Sequence, residues 1–258
     1  MTFPPEKFNN LRRFTDELLT IGQTVFRDRV KCPDADHLGM MSITFSAKQA
    51  EHMLSVQTLV DARRFADASV IARVMLEGLA LLIWSNRAPD ERPRAWRAYS
   101  LVFDLQTLRS KQATGMMLDA DVEQDLLDRL THEASQFLRQ GGDPTDPASY
   151  KARWHLDDEG KGLRITDILK DLNDPKLVDL YGELSNWIHW NAKGIGSGLK
   201  RDGDLVRIDW SAQYRGALAL AVGFQSLFQS LEVLDSRLHL GYAEKLDDLR
   251  RRYVAALS

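Results

Sequence analysis

Two sets of side chains in this sequence have the types and spacing to do chemistry. Tyr181, Ser185 and His189 recur at steps of four, so on a helix they form one line. That line runs along the margin of an apolar stripe of Leu177, Leu180, Leu184 and Ile188, where a side chain is part buried and still reaches a cleft. A histidine there, oriented by the serine, has the makings of a general base or acid near neutral pH. The commoner alternative is a packing His189, with the Ser185 hydroxyl bonded back to the helix carbonyls.

The second set is Arg73 and Glu77, four apart inside an otherwise apolar run from Val70 to Trp84. Charges in such surroundings are costly unless paired, so the pair has a reason to exist. As a site, Arg73 would hold a phosphate or carboxylate, with Glu77 orienting it or acting as a base. As structure, the two would form an ion pair along the helix that also caps backbone groups of a neighbour.

Beyond His189 the chain places Trp187 and Trp190 before Lys193, Lys200 and Arg201, with glycines between the basic residues. Aromatic rings beside cations on a glycine-rich loop suit single-stranded nucleic acid, through stacking and phosphate contacts. Asn186, Trp187 and Lys193 would then line the rim of the site together with Tyr181. The simpler explanation is packing, with the tryptophans covered by the 193–210 crossing or by Trp210.

Other chemistries find no support. Cys32 is the single cysteine, which excludes an intramolecular disulfide and any multi-cysteine metal centre, and fits a reducing, cytoplasmic setting. There is no phosphate-binding glycine loop ending in Gly-Lys-Ser/Thr, no His-Glu-x-x-His, no Gly-x-Ser-x-Gly and no Glu-x-x-His pair. His52 beside Glu51 and His132 beside Glu133 are adjacent pairs that point to different helix faces. No metal and no cofactor is expected. A formal net charge of -3 provides no general basic field, so any nucleic acid would have to meet a local patch. The N-terminus lacks a basic segment followed by an apolar run, and the longest apolar run, Leu79 to Trp84, falls far short of the ~20 residues that span a bilayer. No membrane partner is expected.

The elements that must position these residues read as helices. Phe8, Leu11, Phe14, Leu18, Ile21 and Val25 mark one face of a first helix, from Pro5 to about Val30. Cys32-Pro-Asp-Ala-Asp36 supplies a turn and an acidic cap for a second, about His37 to Arg63. The third, Phe65 to Asn86, is apolar nearly all round, which places it at the centre of a bundle, with Gly78 admitting a close neighbour. Pro89 and Pro93 precede a fourth, about Arg94 to Gln112, and a fifth spans about Asp119 to Arg139. Gly141-Gly-Asp-Pro-Thr-Asp-Pro147 breaks it, and Ser149 to Gly162 reads as an ordered loop carrying Trp154 and His155.

A short helix from Thr166 to Asp171 precedes the helix that Pro175 opens. A Gly-rich crossing at about 193–210 follows, with a short extended segment at Leu205 to Trp210, and helices at about Ala212 to His239 and Tyr242 to Ala256 close the chain. The expected fold is all-α: a single-domain helical bundle of eight or nine helices over residues 1–258, with the 141–162 loop as the only boundary candidate. An apolar stripe exposed on the last two helices would favour a homo-oligomer.

Ala72-Arg-Val-Met-Leu-Glu77, Trp154, Ile165-Thr-Asp-Ile168 and Tyr181-x-x-Leu-Ser185-x-x-x-His189 together resemble the family of unknown function DUF5677. The resemblance covers about residues 45–200, and the helices at 5–30 and 212–256 would pack on that core. It implies that Arg73, Glu77, Ser185 and His189 share a cleft. The family in turn looks like a distant relative of the HEPN helical bundles, many of which are metal-independent ribonucleases of toxin–antitoxin and phage-defence systems. In those bundles an arginine precedes a histidine by four to six residues on one helix, and no histidine here follows that pattern. Arg73 would have to supply the cation from another helix.

Two expectations follow. In the first, the chain is an RNA-directed effector, with His189 as base or acid, Arg73 as phosphate clamp and Glu77 and Ser185 as orienting groups. Its partners would be single-stranded RNA and an antitoxin-like protein. In the second, the chain is a non-catalytic module that senses a ligand or docks a partner protein, and the same four residues form a buried structural network.

Overall fold

The computed structural model describes residues 4–27, 30–116, 119–188, 199–208 and 213–257. Among them are nine α-helices: α1 Pro5–Arg27, α2 His37–Asp61, α3 Phe65–Asn86, α4 Arg92–Ala113, α5 Ala120–Glu133, α6 Ile165–Asp171, α7 Pro175–Ile188, α8 Gln213–Leu238 and α9 Ala243–Leu257. The fold is all-α as expected, apart from one two-stranded hairpin of β1 Leu199–Asp202 and β2 Leu205–Ile208. The chain divides into two compact units, residues 1–84 with 165–258, and residues 85–164.

In the first unit the core forms where the apolar stripes of six helices meet. Leu11, Phe14 and Leu18 of α1, Met53 and Val56 of α2, Met75 and Leu79 of α3, Leu184 of α7, Leu220 and Leu227 of α8 and Leu249 of α9 are all buried within it. α3 lies in this core as its apolar pattern leads one to expect, with Ala72, Met75 and Leu79 buried, and α8 packs along both α1 and α2. Gly223 and Gly216 permit close approach of α8 to α2 and α3, because a Cβ at Gly223 would lie 2.6 Å from Met53 Sδ and one at Gly216 would lie 2.6 Å from Phe65 Cδ1. α8 is also the one helix among the described residues long and apolar enough to cross a membrane, and most of that apolar window is buried inside the protein. α3 presents a face outward, with Val74 41% exposed in mid-helix.

Local chemistry sets the helix ends. Asp36 caps α2, accepting a hydrogen bond from Gly39 N at 2.9 Å. Ahead of α7, Asn173 takes a positive φ of 58°, Asp174 accepts from Lys176 N at 3.0 Å, and Pro175 occupies the first helical turn, where its missing N–H costs nothing. The extended segment expected at Leu205–Trp210 is β2 as far as Ile208, paired antiparallel with β1. Gly203 supplies the positive φ of 62° that the tight connection between the strands requires.

The second unit has its own core of Tyr99, Val102 and Leu105 from α4, Leu126 and Leu130 from α5, and Phe137 and Tyr150 from the segment that follows. The fifth helix ends at Glu133, six residues before the sequence reading puts it. A 3-10 turn at Ser135–Phe137 carries the Phe137 ring into the core, edge-on to Tyr99 with ring centres 5.0 Å apart. The glycine- and proline-rich 141–162 segment lies inside this unit, ordered by Asx-type bonds such as Asp143 Oδ1 accepting from Thr145 N at 2.8 Å.

Candidate functional site

The apolar stripe of α7 faces the core of the first unit, with Leu184 fully buried and Leu177 and Leu180 partly so. Tyr181 stands at the edge of that stripe, and its phenol reaches α3. Arg73 Nη2 donates to the Tyr181 oxygen at 2.7 Å, and the hydroxyl in turn donates to Glu77 Oε1 at 3.1 Å. Arg73 Nη2 also lies 3.1 Å from Glu77 Oε1, closing a triangle of cation, carboxylate and phenol. The guanidinium carbon sits 4.8 Å from the centre of the Tyr181 ring, within cation–π range.

This arrangement is neutral in sum and largely shielded. The Arg73 side chain is 17% exposed and that of Glu77 29%. Each partner is used more than once, so the desolvation that makes a lone charge on an apolar helix costly is offset by charge-assisted hydrogen bonds. The Arg73 Nε is buried with no hydrogen-bond partner among the described residues.

The Ser185 hydroxyl donates to the Tyr181 carbonyl at 2.5 Å. That bond ties the serine to its own helix. Asn186 is half-buried on α7. The Trp187 side chain, His189, Trp190, Lys193 and Trp210 lie outside the described residues. Of the expected site, the structure therefore brings together Arg73, Glu77 and Tyr181, with Ser185 one turn further along.

On the Glu77 side of α3, α2 and α3 enclose a groove of about 530 Å³. Phe45, Val74 and Leu81 give it apolar walls, Gln49 and Gly78 lie at its contact with the helix pair, and Glu51, His52 and Glu77 stand at its margin. Burial and the charge of Lys48 hold the His52 imidazole below its ordinary pKa, which favours the neutral ring. The sequence reading sends Glu51 and His52 to different helix faces, yet both border this one groove, since neighbours about 100° apart can flank a wide cleft. Two signals in the sequence point here: Gly78 beside Glu77, and a glutamine, Gln49, on the inner face of α2. Among the described residues no group of three or more His, Cys, Asp or Glu side chains is placed to hold a metal ion.

A family model described as a family of unknown function, DUF5677, matches residues 40–205 of the chain. Neither a search of curated proteins nor a search of solved structures returned a match. The matched span takes in most of α2, all of α3 to α7 and the strand β1, ending at the first residue of β2, and so includes Arg73, Glu77, Tyr181, Ser185 and the α2–α3 groove. It extends the resemblance seen at 45–200 by a few residues at each end, and it exceeds half of the chain. This protein belongs to the DUF5677 family.

Proposed function

We propose that this chain is a non-catalytic helical binding module, in which Arg73, Glu77 and Tyr181 lock α3 against α7 and so hold one wall of the α2–α3 groove in place. The observation that carries this reading is the commitment of Arg73, whose guanidinium is held at once by the Tyr181 hydroxyl, the Glu77 carboxylate and the Tyr181 ring. A phosphate clamp needs a guanidinium with donors aimed at a substrate. Here one terminal nitrogen, Nη2, is turned to partners of the protein itself, and the Ser185 hydroxyl donates to a backbone carbonyl. The RNA-directed reading needs Arg73 donors other than this committed Nη2 to meet a phosphate, and places the proton transfer on His189.

The test pairs a cleavage assay with a stability measurement. Purified protein is incubated with single-stranded RNA in chelator, alongside Arg73→Ala, Tyr181→Phe and His189→Ala. No RNA is cleaved on this reading, and Arg73→Ala and Tyr181→Phe unfold at lower temperature. Metal-free cleavage that His189→Ala abolishes while its melting temperature stays at the wild-type value would overturn it.

A further inference from the structure

We propose that the α2–α3 groove is a binding site for a small, uncharged, largely apolar molecule that carries one N–H or O–H donor, which Gln49 Oε1 accepts. This deepens the binding-module reading and rests on it.

The argument begins with Gln49, which is 3% exposed. Its Nε2 donates to the Met75 carbonyl of α3 at 2.8 Å, which fixes the amide's orientation and leaves Oε1 as the remaining acceptor. Oε1 is buried and has no hydrogen-bond partner among the described residues, while Gln49 lines the groove. A buried acceptor with no donor carries a desolvation cost that a donor entering the groove would relieve.

Gly78 makes the approach to this amide possible. A Cβ there would stand 3.0 Å from Gln49 Nε2 and press on the side chain that bonds across the two helices. Val74, 41% exposed, and Leu81 extend the apolar wall on either side. A volume of about 530 Å³ falls within the roughly 300–1,000 Å³ of small-molecule sites, which are mostly apolar with a few placed polar groups.

The charges around the rim select a neutral ligand. Lys48 and Glu51 lie 3.5 Å apart and offset one another, and Glu77 is offset by Arg73. Among the side chains that line the groove, Gln49 Oε1 is the buried acceptor without a partner among the described residues, and it asks for a donor and not for a full charge.

Indole and benzofuran form a matched pair of probes, alike in shape and differing in the N–H that indole alone can donate. Their affinities are measured by ligand-observed NMR on the full chain and on two variants, Val74→Arg and Gln49→Leu. Indole is expected to bind the natural chain about tenfold more tightly than benzofuran, the ratio that one hydrogen bond to a buried acceptor supplies. Gln49→Leu should bring the two probes level. Should that variant fail to fold, Val74→Arg, at an exposed position, decides by weakening both. Equal binding of the two probes, no binding of indole at millimolar concentration, or unchanged binding to Val74→Arg would each overturn the proposal. Loss of the indole result leaves the non-catalytic reading standing, and metal-free RNA cleavage would remove that reading while leaving the indole result intact.

Discussion

Arg73 reaches Tyr181 in two ways at once: its Nη2 donates to the phenol oxygen at 2.7 Å, and its guanidinium carbon lies 4.8 Å from the ring centre. The two residues are separated by more than a hundred positions in sequence, so this contact closes a long loop between α3 and α7. The hydroxyl is the element that passes the interaction on to Glu77. Tyr181→Phe keeps the ring and the ion pair but leaves two charged groups short of one partner each. A loss of about 1–3 kcal/mol is expected, since hydrogen bonds to charged groups are the stronger ones and the site is only partly shielded from water. Urea unfolding of the two proteins measures it, and a difference below about 0.5 kcal/mol would mean that the hydroxyl does not fasten the helices.

How much of this was legible in the residues follows from whether each feature is local. The helix starts at Pro5, His37, Phe65 and Pro175 depend on caps, prolines and periodicity within a few residues, and the structure reproduces them. Arg73 and Glu77 stood out because two charges on an apolar helix demand an explanation wherever the helix lies. That Tyr181 supplies it could not be read, because the contact depends on how two distant helices are placed against each other. A glutamine on the inner face of α2 marks Gln49 as unusual, but its partner is a backbone carbonyl on α3, which no sequence pattern identifies. Phe137 continues the helical period, so the sequence alone extends α5 past Glu133, and the Tyr99 ring that Phe137 meets is too distant in sequence to signal the turn.

Two glycines of α8 should respond differently to the same added methyl group. At Gly216 a Cβ would lie 2.6 Å from Phe65 Cδ1 and 2.8 Å from Cε1, against a buried ring that cannot bend away. At Gly223 the nearest atom is Met53 Sδ at 2.6 Å, near the end of a flexible side chain. Alanine gains roughly 0.5–1 kcal/mol over glycine inside a helix, which partly offsets the crowding. Gly216→Ala is therefore expected to cost about 1–3 kcal/mol and Gly223→Ala about 1 kcal/mol or less. Thermal unfolding of both variants tests the ranking, and the reverse order would show that the Met53 pocket is the stiffer one.

In the second unit, Arg109 ties α4 to two other segments. Its Nη1 donates to Gln112 Oε1 at 2.6 Å and to Glu123 Oε1 of α5, and its Nε donates to the Thr145 carbonyl at 2.9 Å. Gln112 Nε2 completes the set by donating to Glu123 Oε2 at 2.7 Å. Both charged side chains are 27% exposed, which keeps the pair above the value of a fully solvated one. A double-mutant cycle of Arg109→Ala and Glu123→Ala should return a coupling of about 0.5–1.5 kcal/mol. Arg109→Ala alone should cost more than Glu123→Ala, because it also releases the Thr145 carbonyl. Equal single-mutant losses would show that the Thr145 bond contributes nothing measurable.

Asp36 links the start of α2 to the last turn of α8, and the link should depend on pH. Its carboxylate accepts from Gly39 N at 2.9 Å and from Arg237 Nη2 at 2.8 Å. Burial by itself raises the carboxyl pKa, but the Arg237 hydrogen bond, the Gly39 N–H and the charges of Arg237 and His37 outweigh it and hold the group below its ordinary value. The folded protein is thus harder to protonate at Asp36 than the unfolded chain, whose carboxyl titrates near ~3.9. The stabilisation is fully present above that value and is lost as pH falls through it toward the lower folded pKa. Relative to the natural chain, Asp36→Asn should be less stable by about 1 kcal/mol near neutral pH, a modest figure because Arg237 is 40% exposed. The gap should hold from about pH 7 to about pH 5 and close below about pH 4. Urea unfolding of both proteins across that range measures it as a difference, so titration of the other carboxylates cancels. A gap that stays the same at low pH would assign the contribution of Asp36 to its capping geometry and not to its charge.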